Sequence, residues 1–328
     1  MPQQPKIDHS KIGPQILDAK VVRRLLPLVD VKKELTALFT ALGNSQAMQP
    51  AQTITDFPDG AGDYITYLGV MADAQVFGAK MSPYIVTEAA PTITAWTALM
   101  SMQTGQPLVW CDAGLLTTER TAGTTALAVD YLAPANSKTL AIIGSGAIAL
   151  AHYRHVENLR DWSSVSVYSP SLVNNPDRLK AWQSACPAVE ISASAADCVA
   201  QADVVLLCTS SGTPVLAPVD IGKPALITSI STNVVNAHEI PPEFLATADV
   251  YCDYKPTTPG SAGEMKLATQ DHGWDSAQIC GDLADLACGT APMPDYTKPV
   301  FFRSIGLGLE DMAMAHGIWQ ASLTGGAS

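Results

Sequence analysis

Short apolar runs alternate with amphipathic segments through the part of the chain that follows residue 138. The apolar runs predict buried strands, and segments whose apolar residues recur every three or four positions predict helices. The predicted strands are TLAIIG, VSVY, VEIS, DVVLLCT, ALITSIS and DVYCD, and helices are predicted at IALAHYRHVENLRD and DRLKAWQSAC. Buried strands separated by helices are typical of a parallel sheet covered on both faces, so this part is predicted to be an α/β domain.

The first part of the chain has a different pattern, in which glycine and proline interrupt the apolar segments. Helices are predicted at VKKELTALFTALG, near ITAWTALMSM and near LTTERTAGTTALAVDYLA. Strands are predicted within TITDFPDGAGDYITYLGVM, VFGAKM and PLVWCD. This mixture favours an α+β domain with a largely antiparallel sheet.

The final predicted helix, LGLEDMAMAHGIWQAS, follows the strand-like KPVFFRSIG and is expected to return to the first domain. The 328 residues are enough for two domains, each with its own core. We therefore predict that residues 1–130 and 306–328 form one domain and that residues 131–305 form the other.

Charge and composition exclude several classes of protein. The net charge of −12 argues against a nucleic-acid partner, which would require a basic surface. No apolar run approaches the roughly 18 residues of a membrane span, and MPQQPKIDHSKIG lacks the apolar core of a signal peptide. The seven scattered cysteines form no CxxC pair, so we expect reduced thiols, a cytoplasmic location and no metal site.

A glycine-rich turn joins the first strand and the first helix of the α/β part. The run GSGAIA, which starts at Gly144, matches G-x-G-x-x-A. In such a turn the first glycine allows the tight bend, the second lets a pyrophosphate approach the backbone, and Ala149 keeps the helix close to the sheet. The free N–H groups of the helix also favour phosphate. We predict a dinucleotide site at Gly144, Gly146, Ala147 and Ile148; the alternative is that the glycines are purely steric.

The end of the next strand bears on the choice of dinucleotide. An NAD site usually places an acidic residue there, to bind the ribose 2′-hydroxyl. This chain continues VSVYSPS, with no carboxylate to repel a 2′-phosphate. Ser169, Ser171 and Arg178 are candidate ligands for that phosphate. The sequence therefore favours NADPH, with NADH as the alternative.

Lysine and arginine are scarce in the first domain. Between residues 34 and 137 the only lysine and arginine are Lys80, in VFGAKMSPY, and Arg120, in LTTERTAG. Arg120 lies near the start of a predicted helix, with Thr117 or Thr118 as its cap. A cation in a first helical turn faces the positive end of the helix dipole, at a cost of up to about 1 kcal/mol. Helix stability therefore does not explain Arg120.

A bound anion would explain the placement of both cations. Guanidinium holds a carboxylate through two parallel hydrogen bonds, which fixes its orientation as well as its charge. The alternative is that Lys80 and Arg120 pair with structural carboxylates such as Asp112 or Glu119. On the first interpretation, Lys80 and Arg120 bind the carboxylate of a small substrate.

Several of these segments together resemble the ornithine cyclodeaminase/mu-crystallin family. The similar segments are YLGVM before Lys80, LTTERTAGTTALA, IIGSGAIA, ADVVLLCTSS, SISTNVVNAHEI and FFRSIGLGLEDMAMA. The resemblance covers most of the chain. It implies a substrate-binding and dimerisation domain before a Rossmann domain, and a homodimer. It also implies that Lys80 and Arg120 bind the substrate carboxylate, that Thr121 contacts the cofactor phosphates, and that Thr209 and Ser210 lie beside the cofactor.

The chain departs from the family at two positions. The family often has an arginine where this chain has Gln52, which we retain as a candidate substrate-binding residue. Cyclodeaminases have an aspartate where this chain has Asn233. Because an amide cannot accept a proton as a carboxylate does, cyclodeamination of ornithine is disfavoured. Asn233 and Asp311 are instead candidates for stabilising an iminium.

The resemblance then implies an imine reductase. We expect NAD(P)H-dependent reduction of Δ1-pyrroline-2-carboxylate or Δ1-piperideine-2-carboxylate to L-proline or L-pipecolate. Two alternatives stay open. The chain is an ornithine cyclodeaminase or a deaminase similar to alanine dehydrogenase, or it is a non-catalytic protein that binds NADPH and a small ligand.

Overall fold

The computed structural model describes residues 8–11, 13–232 and 234–325. This part of the chain divides into two compact units. The first unit runs as far as Arg120 and resumes at Leu307, and the second covers Thr121–Gly306. The first division falls inside the continuous helix Gly114–Leu132, whereas the sequence places a boundary at 130. The periodic pattern of apolar residues in a continuous helix does not show where one unit ends and the next begins.

The first unit contains a mixed sheet in the order β1-β8-β7-β5-β4-β2, with β3 paired to β4 and β6 paired to β5. Among the described residues of this sheet, β1 and β8 pair in parallel and the other pairings are antiparallel, so the predicted, largely antiparallel sheet is confirmed. The strands are β1 Gln15–Leu17, β2 Ala47–Met48, β3 Thr53–Asp56, β4 Gly62–Met71, β5 Val76–Ile85, β6 Thr92–Ile93, β7 Trp96–Ser101 and β8 Pro107–Asp112.

One sequence-based prediction in this unit is wrong. The segment near ITAWTALMSM, predicted as a helix, forms β6 and β7. Burial alternates along β7, where Thr97, Leu99 and Ser101 are fully buried and the residues between them are partly exposed. That two-residue period is the strand period, and the run of apolar residues on both faces conceals it.

The described part of this unit contains the helices α1 Ala19–Leu25, α2 Val31–Gly43 and the C-terminal helix Gly308–Gly325. It also contains the start of α3 Gly114–Leu132, which continues into the second unit. The C-terminal helix packs on the sheet where two glycines oppose each other, Gly69 on β4 and Gly78 on β5. A Cβ at either glycine would lie 2.8 Å from the side chain of Met312. The glycines therefore allow the close approach of this helix to the sheet.

A row of side chains crosses the same face of the sheet. Tyr67 on β4 pairs with Lys80 on β5, which pairs with Thr97 on β7, which pairs with Cys111 on β8. Directly paired residues project to one face of an antiparallel sheet and lie side by side. The row is therefore contiguous, with Lys80 near its middle.

The second unit contains a wholly parallel sheet in the order β11-β10-β9-β12-β13-β16-β14-β15. It is the predicted parallel sheet of a Rossmann domain, with the glycine-rich turn directly after β9, the third strand in this order. The strands are β9 Thr139–Ile143, β10 Ser164–Tyr168, β11 Glu190–Ile191, β12 Val204–Leu207, β13 Leu226–Ser229, β14 Asp249–Cys252, β15 Gly281–Asp282 and β16 Val300–Arg303.

The helices of the second unit are α4 Ala147–Val156, α5 Pro176–Ala185, α6 Ala195–Val199, α7 Thr258–Ser261, α8 Gly263–Asp271 and α9 Leu283–Cys288. Short 3₁₀ turns in the two units lie at His9–Lys11, Leu26–Leu28, Pro58–Gly60, Pro218–Asp220, Pro242–Thr247 and Ser276–Gln278. Among the described residues, none of the helices has the length and apolar character that a membrane span requires.

Candidate active site

Four buried charges meet in the first unit. Lys80 Nζ lies 2.8 Å from Asp311 Oδ2, Arg120 Nε lies 3.2 Å from Asp311 Oδ1, and Arg120 Nη1 lies 2.9 Å from Glu310 Oε2. Each of the four residues is less than 6% exposed. We call Lys80, Arg120, Glu310 and Asp311 the charge quartet. It contains two cations and two carboxylates, so its formal charge is zero when all four groups are ionised.

The two cations of the quartet respond differently to burial. Burial lowers the pKa of Lys80 to about 8, although the neighbouring Asp311 carboxylate opposes that shift. Burial also opposes the charged form of Arg120, but Asp311 and Glu310 outweigh it and raise the Arg120 pKa. Arg120 is therefore a permanent cation, whereas Lys80 loses its charge just above neutral pH.

The helix around Arg120 does not start where the sequence suggests. It begins at Gly114, whose N–H donates to Asp112 Oδ1 at 3.1 Å, and Thr117 lies within the helix with its hydroxyl donating to the Ala113 carbonyl. The prediction that Thr117 or Thr118 caps the helix is wrong. Arg120 is consequently beyond the first turn, where the dipole has little effect, and the dipole argument for its placement does not hold.

The quartet also identifies the partners of the two cations. Lys80 and Arg120 form ion pairs with Glu310 and Asp311. The two cations do pair with internal carboxylates, as the alternative interpretation held, but through two residues that it did not name. Glu310 and Asp311 lie in the first turn of the C-terminal helix, where the helix dipole favours carboxylates. The structure thus brings the predicted residues Lys80, Arg120 and Asp311 together and adds Glu310.

Tyr67 is a further neighbour that sequence reasoning did not select. The Lys80 Nζ atom lies 4.1 Å from the centroid of the Tyr67 ring. Burial raises the pKa of the Tyr67 phenol, so the phenol is neutral near pH 7. The only sequence signal for this contact is register, which becomes visible once β4 and β5 are paired.

Gln52 and Asn233, two predicted site residues, have no established place in the quartet. Gln52 is exposed immediately before β3. A nearby glutamine, Gln49, contacts the C-terminal helix instead: its Oε1 accepts from the N–H of Leu309 at 3.0 Å. Asn233 lies outside the described residues.

The glycine-rich turn of the second unit fits a dinucleotide phosphate. Gly144 has φ +121°, and a Cβ there would lie 2.4 Å from the Cys208 carbonyl oxygen, so only glycine fits. Gly146 precedes α4 without any side-chain cap, which leaves the N–H groups at Ala147 and Ile148 available. The buried Ser145 hydroxyl has no hydrogen-bond partner among the described residues. Free donors at a helix start are what a pyrophosphate requires.

The strand after the glycine-rich turn ends at Tyr168, and Ser169 and Ser171 follow it. Arg178 lies in the first turn of α5, and its Nη1 is 3.5 Å from the Ser171 hydroxyl. Arg178 and Ser171 are exposed. The three predicted phosphate-binding side chains thus lie in one segment after β10, and Arg178 lies beside Ser171.

Glu239 organises the loops that follow β12 and β13. Its Oε1 accepts from the N–H and the hydroxyl of Thr209 at 2.8 and 2.7 Å. Its Oε2 accepts from the Ser229 hydroxyl and from the N–H groups of Ile230 and Ser231, at 2.7 to 3.1 Å. Glu239 is fully buried. It therefore fixes the loop that carries the predicted cofactor residues Thr209 and Ser210.

Glu239 is a second functional candidate that sequence reasoning missed. The sequence shows only an acidic residue beside His238, with nothing to say that it is buried. The remaining predicted cofactor residue, Thr121, lies in α3 directly after Arg120.

Comparison with known proteins gives a family model and close relatives. The model of the ornithine cyclodeaminase/mu-crystallin family matches residues 14–326. The NAD(P)H-dependent anabolic L-arginine dehydrogenase DauB of Pseudomonas aeruginosa is 53% identical over 316 residues, which are 96% of this chain and 100% of that protein. The Delta(1)-pyrroline-2-carboxylate reductase of Colwellia psychrerythraea is 26% identical over 253 residues, 74% of this chain and 79% of that protein.

A solved structure supports the fold. The Delta(1)-pyrroline-2-carboxylate reductase of Thermococcus litoralis, in complex with NADH and L-proline, superposes with a TM-score of 0.85. It is 22% identical and covers 95% of this chain and 98% of that chain. At this identity the likeness concerns the fold alone.

Proposed function

The chain belongs to the ornithine cyclodeaminase/mu-crystallin family, and from this we propose that it reduces the C=N bond of an α-imino acid to give an L-α-amino acid. The relatives described above are dehydrogenases and reductases, and this chain is an NAD(P)H-dependent oxidoreductase. The identity of the substrate is the proposal. The charge quartet is the observation that carries it.

The quartet favours a substrate whose reacting end is a zwitterion. An isolated charge in a buried site is strongly disfavoured, and a buried ion pair that loses one partner costs about 3–5 kcal/mol. A protonated imino acid carries a carboxylate and an iminium, so it adds no net charge to the balanced quartet. A 2-oxo acid adds one uncompensated negative charge. The iminium form is therefore the form that binds.

The residues of the quartet divide the substrate's charges between them. Arg120 and Lys80 bind the carboxylate, for which a guanidinium is the best suited side chain. Asp311 and Glu310, now sharing their cations with the substrate, compensate the iminium. Before the substrate binds, these two carboxylates hold the cations in place, which reduces the reorganisation that binding requires.

In this proposal the glycine-rich turn binds the cofactor and the charge quartet binds the substrate. The N–H groups at the start of α4 bind the pyrophosphate, and the loop fixed by Glu239 lies at the carboxyl edge of the same parallel sheet, where such ligands bind. NAD(P)H, when bound, supplies a hydride to the imine carbon. The iminium enters already protonated, so its nitrogen receives the electron pair of the C=N bond, and the amine then takes its last proton from water.

The similarity to known proteins is the basis for proposing the side chain of the imino acid substrate. The 53% likeness to an L-arginine dehydrogenase, across the whole of that protein, supports the linear imino acid that corresponds to L-arginine. The likeness to a Delta(1)-pyrroline-2-carboxylate reductase supports a second candidate, the cyclic imino acids expected from the sequence. Both candidates have the same zwitterionic reacting end.

We also propose a homodimer formed through the sheet of the first unit. Leu68 and Phe77, on the face opposite Lys80, are large apolar residues that are 37% exposed. Trp96 and Trp110 stack on that face with centroids 6.0 Å apart. A second copy would cover this apolar surface. A monomer mass by light scattering would contradict the proposal.

An assay panel tests the reaction. NADPH or NADH oxidation is followed with three substrates: the 2-oxo acid of L-arginine plus ammonia, Δ1-pyrroline-2-carboxylate and Δ1-piperideine-2-carboxylate. L-Ornithine is included to detect ammonia release by cyclodeamination. We expect imine-dependent oxidation of the cofactor, and its absence with every substrate would refute the reductase.

Variants of Arg120 test the site. We expect Arg120→Ala and Arg120→Lys to raise KM for the imino acid, by about 30-fold or more for alanine, while the Kd for NADPH changes little. Arg24→Ala, which removes an exposed arginine from α1 in the same unit, is the matched control. Equal losses of substrate and NADPH binding would remove Arg120 from the carboxylate role.

A further inference from the structure

The ring of Tyr67 covers the ammonium group of Lys80. The two residues pair directly across β4 and β5, and the Nζ-to-centroid distance is 4.1 Å, within the roughly 6 Å over which a ring face attracts a cation. Lys80 is 1% exposed, so water does not solvate its charge. Tyr67 itself is only partly buried. The ring face is therefore one of the groups that take the place of water around this ammonium.

The other groups around Lys80 include charges that attract its ammonium group and a charge that repels it. The C-terminal helix presents Asp311, which attracts the ammonium at 2.8 Å, and Glu310, which attracts it from farther away. Helix α3 presents Arg120, which repels it. The neighbouring strand β7 presents Thr97, an uncharged side chain. The Tyr67 ring is thus an attractive neighbour that adds no formal charge and leaves the quartet neutral.

We propose that Tyr67 is a positioning residue that keeps Lys80 protonated, and so able to bind the substrate carboxylate, into the mildly alkaline range. The proposal rests on the function proposed above, in which Lys80 binds that carboxylate. The negative face of the ring stabilises the ammonium relative to the neutral amine. A carboxylate in the same place would do so more strongly, but it would also give the quartet a net negative charge.

Two other roles for Tyr67 give different consequences. If Tyr67 only fills space, any side chain of similar volume will serve. If its phenol donates a proton in the reaction, removal of the hydroxyl will abolish turnover. A role of the ring face depends on the aromatic ring and not on the hydroxyl. Phenylalanine, leucine and tryptophan at this position therefore distinguish the three roles.

The experiment measures the pKa of Lys80 directly and then its kinetic effect. In protein labelled with ¹⁵N-lysine, the Lys80 ammonium signal is assigned by its loss in Lys80→Arg and titrated by NMR. We expect Tyr67→Leu to lower the Lys80 pKa by about half a unit to one and a half units. Tyr67→Phe should leave the Lys80 pKa unchanged, and Tyr67→Trp should raise it. The pH above which kcat/KM for Δ1-piperideine-2-carboxylate declines should shift in the same directions.

Tyr64→Leu is the matched control. Tyr64 is on the same strand, but its ring stacks on Phe57 with centroids 5.8 Å apart, not on Lys80. This variant should leave the Lys80 pKa unchanged. The proposal is overturned if Tyr67→Leu and Tyr67→Trp leave the Lys80 pKa at its wild-type value, or if Tyr67→Phe abolishes turnover. Because the NMR titration needs no substrate, its result stands even if the panel of imines shows no turnover.

Discussion

Replacement of Asp311 by asparagine should destabilise the protein at low pH far more than at high pH. Asp311 is 2% exposed and forms ion pairs with both Lys80 and Arg120. Asparagine preserves its volume but leaves the quartet with a net positive charge. Arg120 cannot release a proton to restore the balance, whereas Lys80, with a pKa of about 8, can.

The size of the effect follows from the lost attraction. Two unit charges about 4 Å apart attract by about 4 kcal/mol at an effective dielectric constant of about 20, which is about three pKa units. In Asp311→Asn the pKa of Lys80 should thus fall to about 5. At pH 6 the wild-type Lys80 is protonated and the variant's is neutral, which costs the variant about 2–3 kcal/mol. At pH 9 both are largely neutral and this difference vanishes.

The sign of this effect follows from proton binding. Between about pH 5 and 8 the unfolded variant binds a proton at Lys80 that its folded state does not, so its stability rises with pH. The folded wild type still holds that proton, so the Lys80 contribution to its free energy of unfolding does not change with pH over this range. The loss of the Arg120 contact adds a cost that does not depend on pH.

Thermal melting of both proteins, without nucleotide, at pH 6, 7.5 and 9 measures the effect. About 2–3 kcal/mol corresponds to roughly 4–12 °C for a unit of this size, so the gap in Tm should narrow by that amount from pH 6 to 9. Asp203→Asn is the control, because the pKa of Asp203 is about 2 and its charge is constant over this range. A gap that stays constant from pH 6 to 9 would refute the coupling between Asp311 and Lys80.

Three further outcomes are expected. In the wild type, KM for the imino acid should rise about tenfold per pH unit above about 8, because Lys80 loses the charge that binds the carboxylate; a KM that is flat to pH 9.5 would contradict this. Ser169→Asp should shift the preference from NADPH toward NADH at least fivefold, since like charges near 4 Å repel by about 1–4 kcal/mol; an unchanged ratio of the two kcat/KM values would place the 2′-phosphate elsewhere. Glu239→Gln should raise the Kd for NADPH, measured by fluorescence titration, more than Glu264→Gln, which removes another buried carboxylate of the same unit; equal effects would make Glu239 merely structural.

The α/β part was predictable because its signals are local. Each buried strand is a short apolar run, and the glycine-rich turn has a fixed spacing between strand and helix. The strands of the antiparallel unit were harder to predict, because β7 carries apolar residues on both faces and therefore lacks a clear two-residue period. A buried strand of that kind is indistinguishable from a helical segment by pattern alone.

The sequence identified three residues of the charge quartet but not how they pair, for a related reason. Lys80 and Arg120 could be selected because cations are scarce in their part of the chain. Glu310 and Asp311 lie 190 and 191 residues beyond Arg120. Asp311 was selected as a candidate for stabilising an iminium, but no sequence spacing identifies either carboxylate as an ion-pair partner of the cations. Tyr67 depends on strand register, and Glu239 depends on burial. Both properties are set by tertiary packing.

The paired glycines of β4 and β5 have a consequence for mutational tolerance. Met312, which occupies the space above Gly69 and Gly78, directly follows Asp311 in the chain. A methyl group at Gly69 would meet Met312 at 2.8 Å and the helix backbone at Leu309 at 3.2 Å, so it would push that helix outward and carry the adjacent carboxylate away from its cations. A methyl group at Gly78 would first meet the Ala98 carbonyl oxygen of the neighbouring strand β7. Alanine at position 69, the mildest replacement available, would thus reduce ligand affinity without contacting the ligand. Substitution at Gly69 should therefore be limited by the requirements of a binding site that Gly69 does not contact.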